Sequence, residues 1–226
     1  MKELRVLTVT FDTRIEKDEI GAFRGALVKK VGREHEWFHN HNNDENAKNA
    51  YHYRYPLIQY KRRRGKPMVV FLDDCIEEAQ KLFSQPDWTL ELNGKPYDTK
   101  IDQLRVNQFN IQVWERLFKY EIRNWMPITQ RNFEEFNKIT RLSERVSYLE
   151  RKLGNHLVSF VKGINYKWEK RIEAHIINIH SENIVHMKRN KLKAFTLSFE
   201  SNLFIPNDVG LGKSVSRGFG VVRSVR

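Results

Sequence analysis

Four of the chain's eight histidines fall between Arg33 and Pro56: His35, His39, His41 and His52. Imidazole titrates near neutral pH, so one such ring can take a proton while another gives one. From Asn40 to Asn49 the segment is almost wholly polar, which predicts an exposed loop. RNA suits this chemistry. Its 2′-hydroxyl is an internal nucleophile beside the scissile phosphate, so a proton acceptor, a proton donor and a steadying cation suffice. His41 and His39 are the candidates for proton transfer, with Tyr51 and Lys48 as assisting groups. Two other readings stay open. The pair His39-x-His41 resembles the start of a metallo-hydrolase box, but Asn43 and Asp44 break that pattern, so no metal site is expected. The histidines can also be plain solvated loop residues.

The second chemical signal is Gly210-Leu211-Gly212-Lys213-Ser214-Val215-Ser216-Arg217-Gly218-Phe219-Gly220. Glycine permits positive φ and close backbone approach, and successive amides turned inward make an anion-binding nest. Lys213 and Arg217 add charge; Ser214 and Ser216 add hydroxyl donors. With Gly212 and Gly218 these residues form a predicted phosphate cradle. It is not a nucleotide P-loop. That motif needs glycine where Asn207 stands and a helix afterwards, whereas Val221-Val222 reads as a strand.

The balance of the chain fits a polyanion. Over 226 residues the formal net charge is +12. Arg62-Arg63-Arg64 is a dense cationic tip, and Lys188-Arg189-Asn190-Lys191 is another. The lone Cys75 excludes an intramolecular disulfide and any multi-cysteine zinc site. No run of 18 apolar residues suggests a membrane span, and no signal peptide is evident. A cytoplasmic protein without cofactor is expected, either monomer or homodimer.

The elements that must position these residues follow from hydrophobic periodicity. Leu4–Phe11 reads as a strand. Glu19–Val31 reads as a helix with Ile20, Phe23, Leu27 and Val31 on one face. Tyr53–Lys61 and Pro67–Leu72 are strands around the basic tip. Asp73 or Asp74 is expected to cap a helix over Ile76–Phe83, and Trp88–Leu92 to be the fourth strand. That order is β-α-β-β-α-β, a ferredoxin-like unit. Beyond residue 100, Phe109–Val113 and Phe118–Trp125 read as strands. Asn132–Lys152 reads as helix in two pieces, extended by Leu157–Val161. Arg171–Ile179 and Leu192–Phe199 are strands, and the glycine loop leads into the last. The predicted class is α+β, with tandem ferredoxin-like (RRM-like) domains over residues 1–98, carrying the histidines, and 99–226, carrying the glycine loop.

The glycine loop, the βαββαβ start, the histidines after the first helix and the strand Tyr55-Pro56-Leu57-Ile58-Gln59-Tyr60 together resemble the CRISPR-associated endoribonuclease family that cleaves precursor CRISPR RNA within its repeats. The resemblance implies metal-independent cleavage leaving a 5′-hydroxyl and a 2′,3′-cyclic phosphate, with CRISPR repeat RNA as partner. It implies that the glycine loop binds RNA and that the catalytic histidine lies after the first helix, at His41 or His39. The alternative is a non-catalytic RNA-binding protein that retains guide RNA within an effector complex.

Overall fold

The computed structural model describes residues 1–39, 54–187 and 190–225. They form two compact units. One comprises Glu3–Phe109 with Ser216–Gly218; the other comprises Met1–Lys2, Asn110–Val215 and Phe219–Arg226.

In the N-terminal unit β1 (Lys2–Phe11) leads to α1 (Ile20–Val31) and the single turn α2 (Glu36–His39). After them come β2 (Ile58–Arg63), β3 (Lys66–Leu72) and a short α3 (Ala79–Phe83). A hairpin of β4 (Thr89–Leu92) and β5 (Lys95–Asp98) precedes β6 (Ile101–Ile111). The four-stranded sheet has the order β2-β3-β1-β6, that of a ferredoxin-like unit. The stripe of α1 is as the 3.6-residue period requires: Ile20, Phe23, Leu27 and Val31 are its buried residues. Phe23 meets Phe11 and Tyr60 edge-on, at ring-centroid distances of 5.5 and 6.0 Å. Each such ring withdrawn from water contributes about 2–3 kcal/mol.

Two expectations need correction here. The stretch Trp88–Leu92 does not supply the fourth strand. Asn93 and Gly94 both have positive φ, 51° and 79°, so the chain folds straight back and Leu92 pairs with Lys95. A two-residue turn of that type closes a local hairpin instead of delivering a strand to a distant sheet edge. The edge is filled by β6, so the compact unit extends to Phe109. Nor does an aspartate cap a helix: Asp73–Ile76 is a 3₁₀ turn entered with Asp73 at φ 50°, and the α-helix is only Ala79–Phe83. Cys75 lies buried in that turn, and burial pushes its thiol up to about 12.

The C-terminal unit contains β7 (Val113–Trp125), α4 (Phe133–Lys138) and α5 (Leu142–Gly163). They are followed by β8 (Ala174–Met187), β9 (Asn190–Leu203) and β10 (Val221–Ser224). The sheet order β10-β7-β9-β8 repeats the N-terminal topology, and all three of its pairings are antiparallel. Leu149, Leu153, Leu157 and Phe160 of α5 are buried, at spacings of a helical stripe. Within the sheet's core, Trp125, Phe195 and Phe199 are almost fully buried. One part of the ferredoxin pattern is missing. Between β9 and β10 the described chain holds no α-helix, only the glycine loop with a 3₁₀ turn at Val215–Arg217.

Candidate nucleic-acid interface

The glycines of the loop answer to steric demands that can be stated atom by atom. Gly212, Gly218 and Gly220 have φ of 93°, 82° and 64°. A Cβ on Gly220 would lie 1.8 Å from the Leu211 carbonyl oxygen, an impossible approach. A Cβ on Gly212 would lie 2.9 Å from both Cδ1 and Nε1 of Trp125. Gly210 instead bridges Val221 in extended pairing. Several amides expected to face an anion are used at home. Leu211 N–H donates to Gly220 O at 2.9 Å, Lys213 N–H to Met126 O at 3.2 Å, and Gly220 N–H to Asn124 O at 3.1 Å. The loop is therefore pinned at both ends, and its close backbone contacts explain the glycines better than an open nest does.

Between the pins the polar groups face outward to different degrees. Lys213 is exposed, yet partial desolvation holds its ammonium below the usual lysine value. Ser214, at φ 55°, directs its hydroxyl to the Met187 sulfur at 3.6 Å. Ser216 and Arg217 are half-buried in the 3₁₀ turn. Arg223 is occupied by Asp208 at 2.8 Å. Within the N-terminal unit, a Cβ on Gly218 would lie 2.8 Å from Ile20 Cδ1 and 3.4 Å from Tyr60 O.

His39 ends α2 and is buried, and its Nε2 stands 2.6 Å from the Arg33 carbonyl. A carbonyl only accepts, so that nitrogen carries the hydrogen. The His39 carbonyl in turn accepts from the Arg24 guanidinium. The preceding residue, Phe38, accepts from Tyr60 Oη–H at 2.9 Å. Tyr60 thus touches both signals within one unit: its hydroxyl holds the histidine turn, and its backbone carbonyl lies under Gly218. Sequence reading placed Tyr60 in a strand and missed this double role. His41, Tyr51 and Lys48 lie outside the described residues.

The basic tip is less uniform than its letters. Arg62 donates to the Ile15 carbonyl and approaches Glu16 at 3.4 Å, so it ties the loop after β1. Arg63 is half-buried. Arg64 is exposed at the turn, with φ 52°. Lys66 pairs with Asp102 at 2.9 Å. Of the Arg62-Arg63-Arg64 run, Arg64 presents the most open charge. Lys188 and Arg189 of the second tip lie outside the described residues. Among the described residues no group of three or more His, Cys, Asp or Glu is set to hold a metal ion, and no helix is long and apolar enough to cross a membrane.

A further histidine appears where sequence reading gave no signal. His156 stands on α5 next to Leu157, and its Nδ1 accepts the Trp125 indole N–H at 3.1 Å. The rings meet edge-to-face at 5.7 Å and 88°. Burial, with Lys152 and Lys213 nearby, lowers its titration to about 4.

Comparison with known proteins agrees with this division. The Cas6b N-terminal domain family matches residues 2–110, and the Cas6b C-terminal domain family matches residues 112–225. A solved structure described as Cas6b superposes with TM-score 0.85 at 24% identity, covering 99% of this chain and all of that one. Another, described as the CRISPR RNA processing endoribonuclease Cas6b, gives TM-score 0.73 at 20% identity over 99% of this chain and 100% of that one. The uncharacterized protein MJ0978 of Methanocaldococcus jannaschii is 29% identical over 134 residues, covering 59% of this chain and 90% of the relative. Matched in order across both of its units, the chain belongs to the Cas6b family.

Proposed function

We propose that this protein is an endoribonuclease that cleaves CRISPR repeat RNA. The observation that carries the proposal is the family match over both domains, in a chain whose histidine turn and glycine-loop tip rest on the same residue, Tyr60. In this reading the RNA backbone lies along Gly212–Gly218, with Lys213, Ser214, Ser216 and Arg217 contacting phosphate, and with Arg64 adding charge beside Arg62 and Arg63.

The reaction is an internal transfer. The 2′-oxygen attacks the adjacent phosphorus while its proton passes to a general base. The bond from phosphorus to the 5′-oxygen breaks, and a general acid protonates that leaving oxygen. The products are a 2′,3′-cyclic phosphate and a 5′-hydroxyl, and the step balances without a metal-activated water. His41 is the principal proton-transfer residue in this proposal. His39, whose Nε2 is engaged with Arg33, joins it only if that contact opens, and Tyr51 assists. A nearby cation steadies the charge that builds on the phosphoryl oxygens.

The test is one incubation of end-labelled repeat RNA with excess EDTA. Cleavage giving a cyclic phosphate end is expected, and a substrate with 2′-deoxyribose at the scissile position should bind uncut. Cleavage of the deoxy substrate would overturn the mechanism. Tight binding without cleavage of any repeat RNA would return the protein to the role of a guide-RNA holder.

A further inference from the structure

The indole of Trp125 ends β7 and is fully buried. Its Nε1–Cδ1 edge does two jobs. It donates to Nδ1 of His156 at 3.1 Å, and it is the surface on which Gly212 packs, so closely that a Cβ there would stand 2.9 Å away. The next residue, Met126, accepts the Lys213 amide through its carbonyl at 3.2 Å. The floor of the loop's first arm is therefore one indole edge and one carbonyl, adjacent in sequence. An indole N–H can only donate, so the arrangement needs an unprotonated Nδ1 facing it. Lys152 from the same helix and Lys213 from the loop are the cations that face this ring, and both oppose a charged imidazole.

We infer that His156 is a positioning residue for RNA binding: by accepting the Trp125 indole N–H it fixes the ring on which Gly212–Ser214 is laid. It touches no substrate and transfers no proton in the reaction. The RNA arm of this inference rests on the proposed function; the loop arm does not.

Two variants separate the acceptor from the bulk it occupies. His156→Leu removes the acceptor, and His156→Asn places an amide oxygen near the position of Nδ1. In His156→Leu the Lys213 amide should exchange with solvent about tenfold faster, and the Kd for repeat RNA should rise about tenfold, the scale of one lost neutral hydrogen bond. His156→Asn should restore most of both. If folded His156→Leu keeps wild-type exchange and affinity, or if His156→Asn is as impaired as His156→Leu, the inference is overturned. Should the leucine variant not fold, the wild type decides the matter. Its Trp125 indole N–H resonance should move as pH falls from 7 to 4, and that movement should be absent in His156→Asn; an indole signal indifferent to pH overturns the claim. If the wild type binds no repeat RNA, the proposed function fails, while the Lys213 exchange still decides whether His156 sets the loop.

Discussion

The two units share one strand order but leave it at different places. The N-terminal unit keeps both crossovers and departs after α1, where the chain makes the single turn α2 and enters the histidine segment. The C-terminal unit keeps a long first crossover, the 22-residue α5, and departs between β9 and β10, where a helix is replaced by the glycine loop. A crossover helix is held by an apolar stripe and tolerates little change on that face. A segment freed from that duty can be chosen for its polar groups. The difference locates the proposed chemistry: histidines in the connection after α1 of one unit, a glycine loop before the last strand of the other.

The sharpest way to break this comparison is to replace His39 and His41 together by alanine. Loss of the proton-transfer groups should lower single-turnover cleavage by about 10²–10⁴-fold, with RNA affinity nearly unchanged in a filter-binding assay. Full activity would mean that the histidine segment carries no chemistry.

Next in size is Gly220→Ala. Its Cβ would collide with the Leu211 carbonyl at 1.8 Å, and backbone cannot step aside as a flexible side chain can. A loss of about 3 kcal/mol is expected in urea unfolding, together with weaker RNA binding. An unchanged midpoint would show the loop's glycines to be dispensable, and with them the contrast between the two connections.

A smaller effect should follow pH. His156 titrates near 4 in the fold, below the ordinary value of 6.5. The unfolded chain therefore takes up that proton first. Its contribution to stability is fully present above about pH 6.5 and is lost as pH falls toward 4. The loss is roughly 2 kcal/mol, below the full value of that displacement because the residue keeps part of its surface in water. Denaturant melts of wild type and His156→Asn at pH 7 and pH 4.5 should diverge by that amount; parallel melts would contradict it.

The smallest change is a control on the crossover that remained helical. Gly154 lies within α5 with nothing within 4 Å of an added Cβ. Gly154→Ala should raise stability by about 0.5–1 kcal/mol and leave RNA binding alone.

Much of the fold was legible because its signals are local. The stripe Ile20, Phe23, Leu27 and Val31 predicts α1 and the face it buries, and the tandem α+β reading follows from such patterns. Trp88–Leu92 misled because a strand's own residues do not say which edge it joins. The positive-φ pair Asn93-Gly94 decided that, and it was visible as a turn without revealing its consequence for β6. The glycine loop was legible as a glycine requirement, but what the glycines pack against is tertiary: Trp125 and Leu211 for two of them, Ile20 for a third. The pair His156 and Trp125 was invisible for the same reason, since the partners are 31 residues apart and neither carries a motif. For the catalytic candidates, sequence proposes a segment and a chemistry, and of His39, His41 and Tyr51 only His39 has a described environment.

Cys75 has a practical bearing on all of these experiments. It is the chain's only cysteine, it is buried, and its thiol is held up near 12. At neutral pH almost none of it is thiolate, the form that attacks maleimides and disulfide reagents. The folded protein is therefore close to a silent background for labelling. A Ser216→Cys variant would accept a spin label or fluorophore at the loop alone, so that movement of the cradle as RNA arrives could be read directly from one probe.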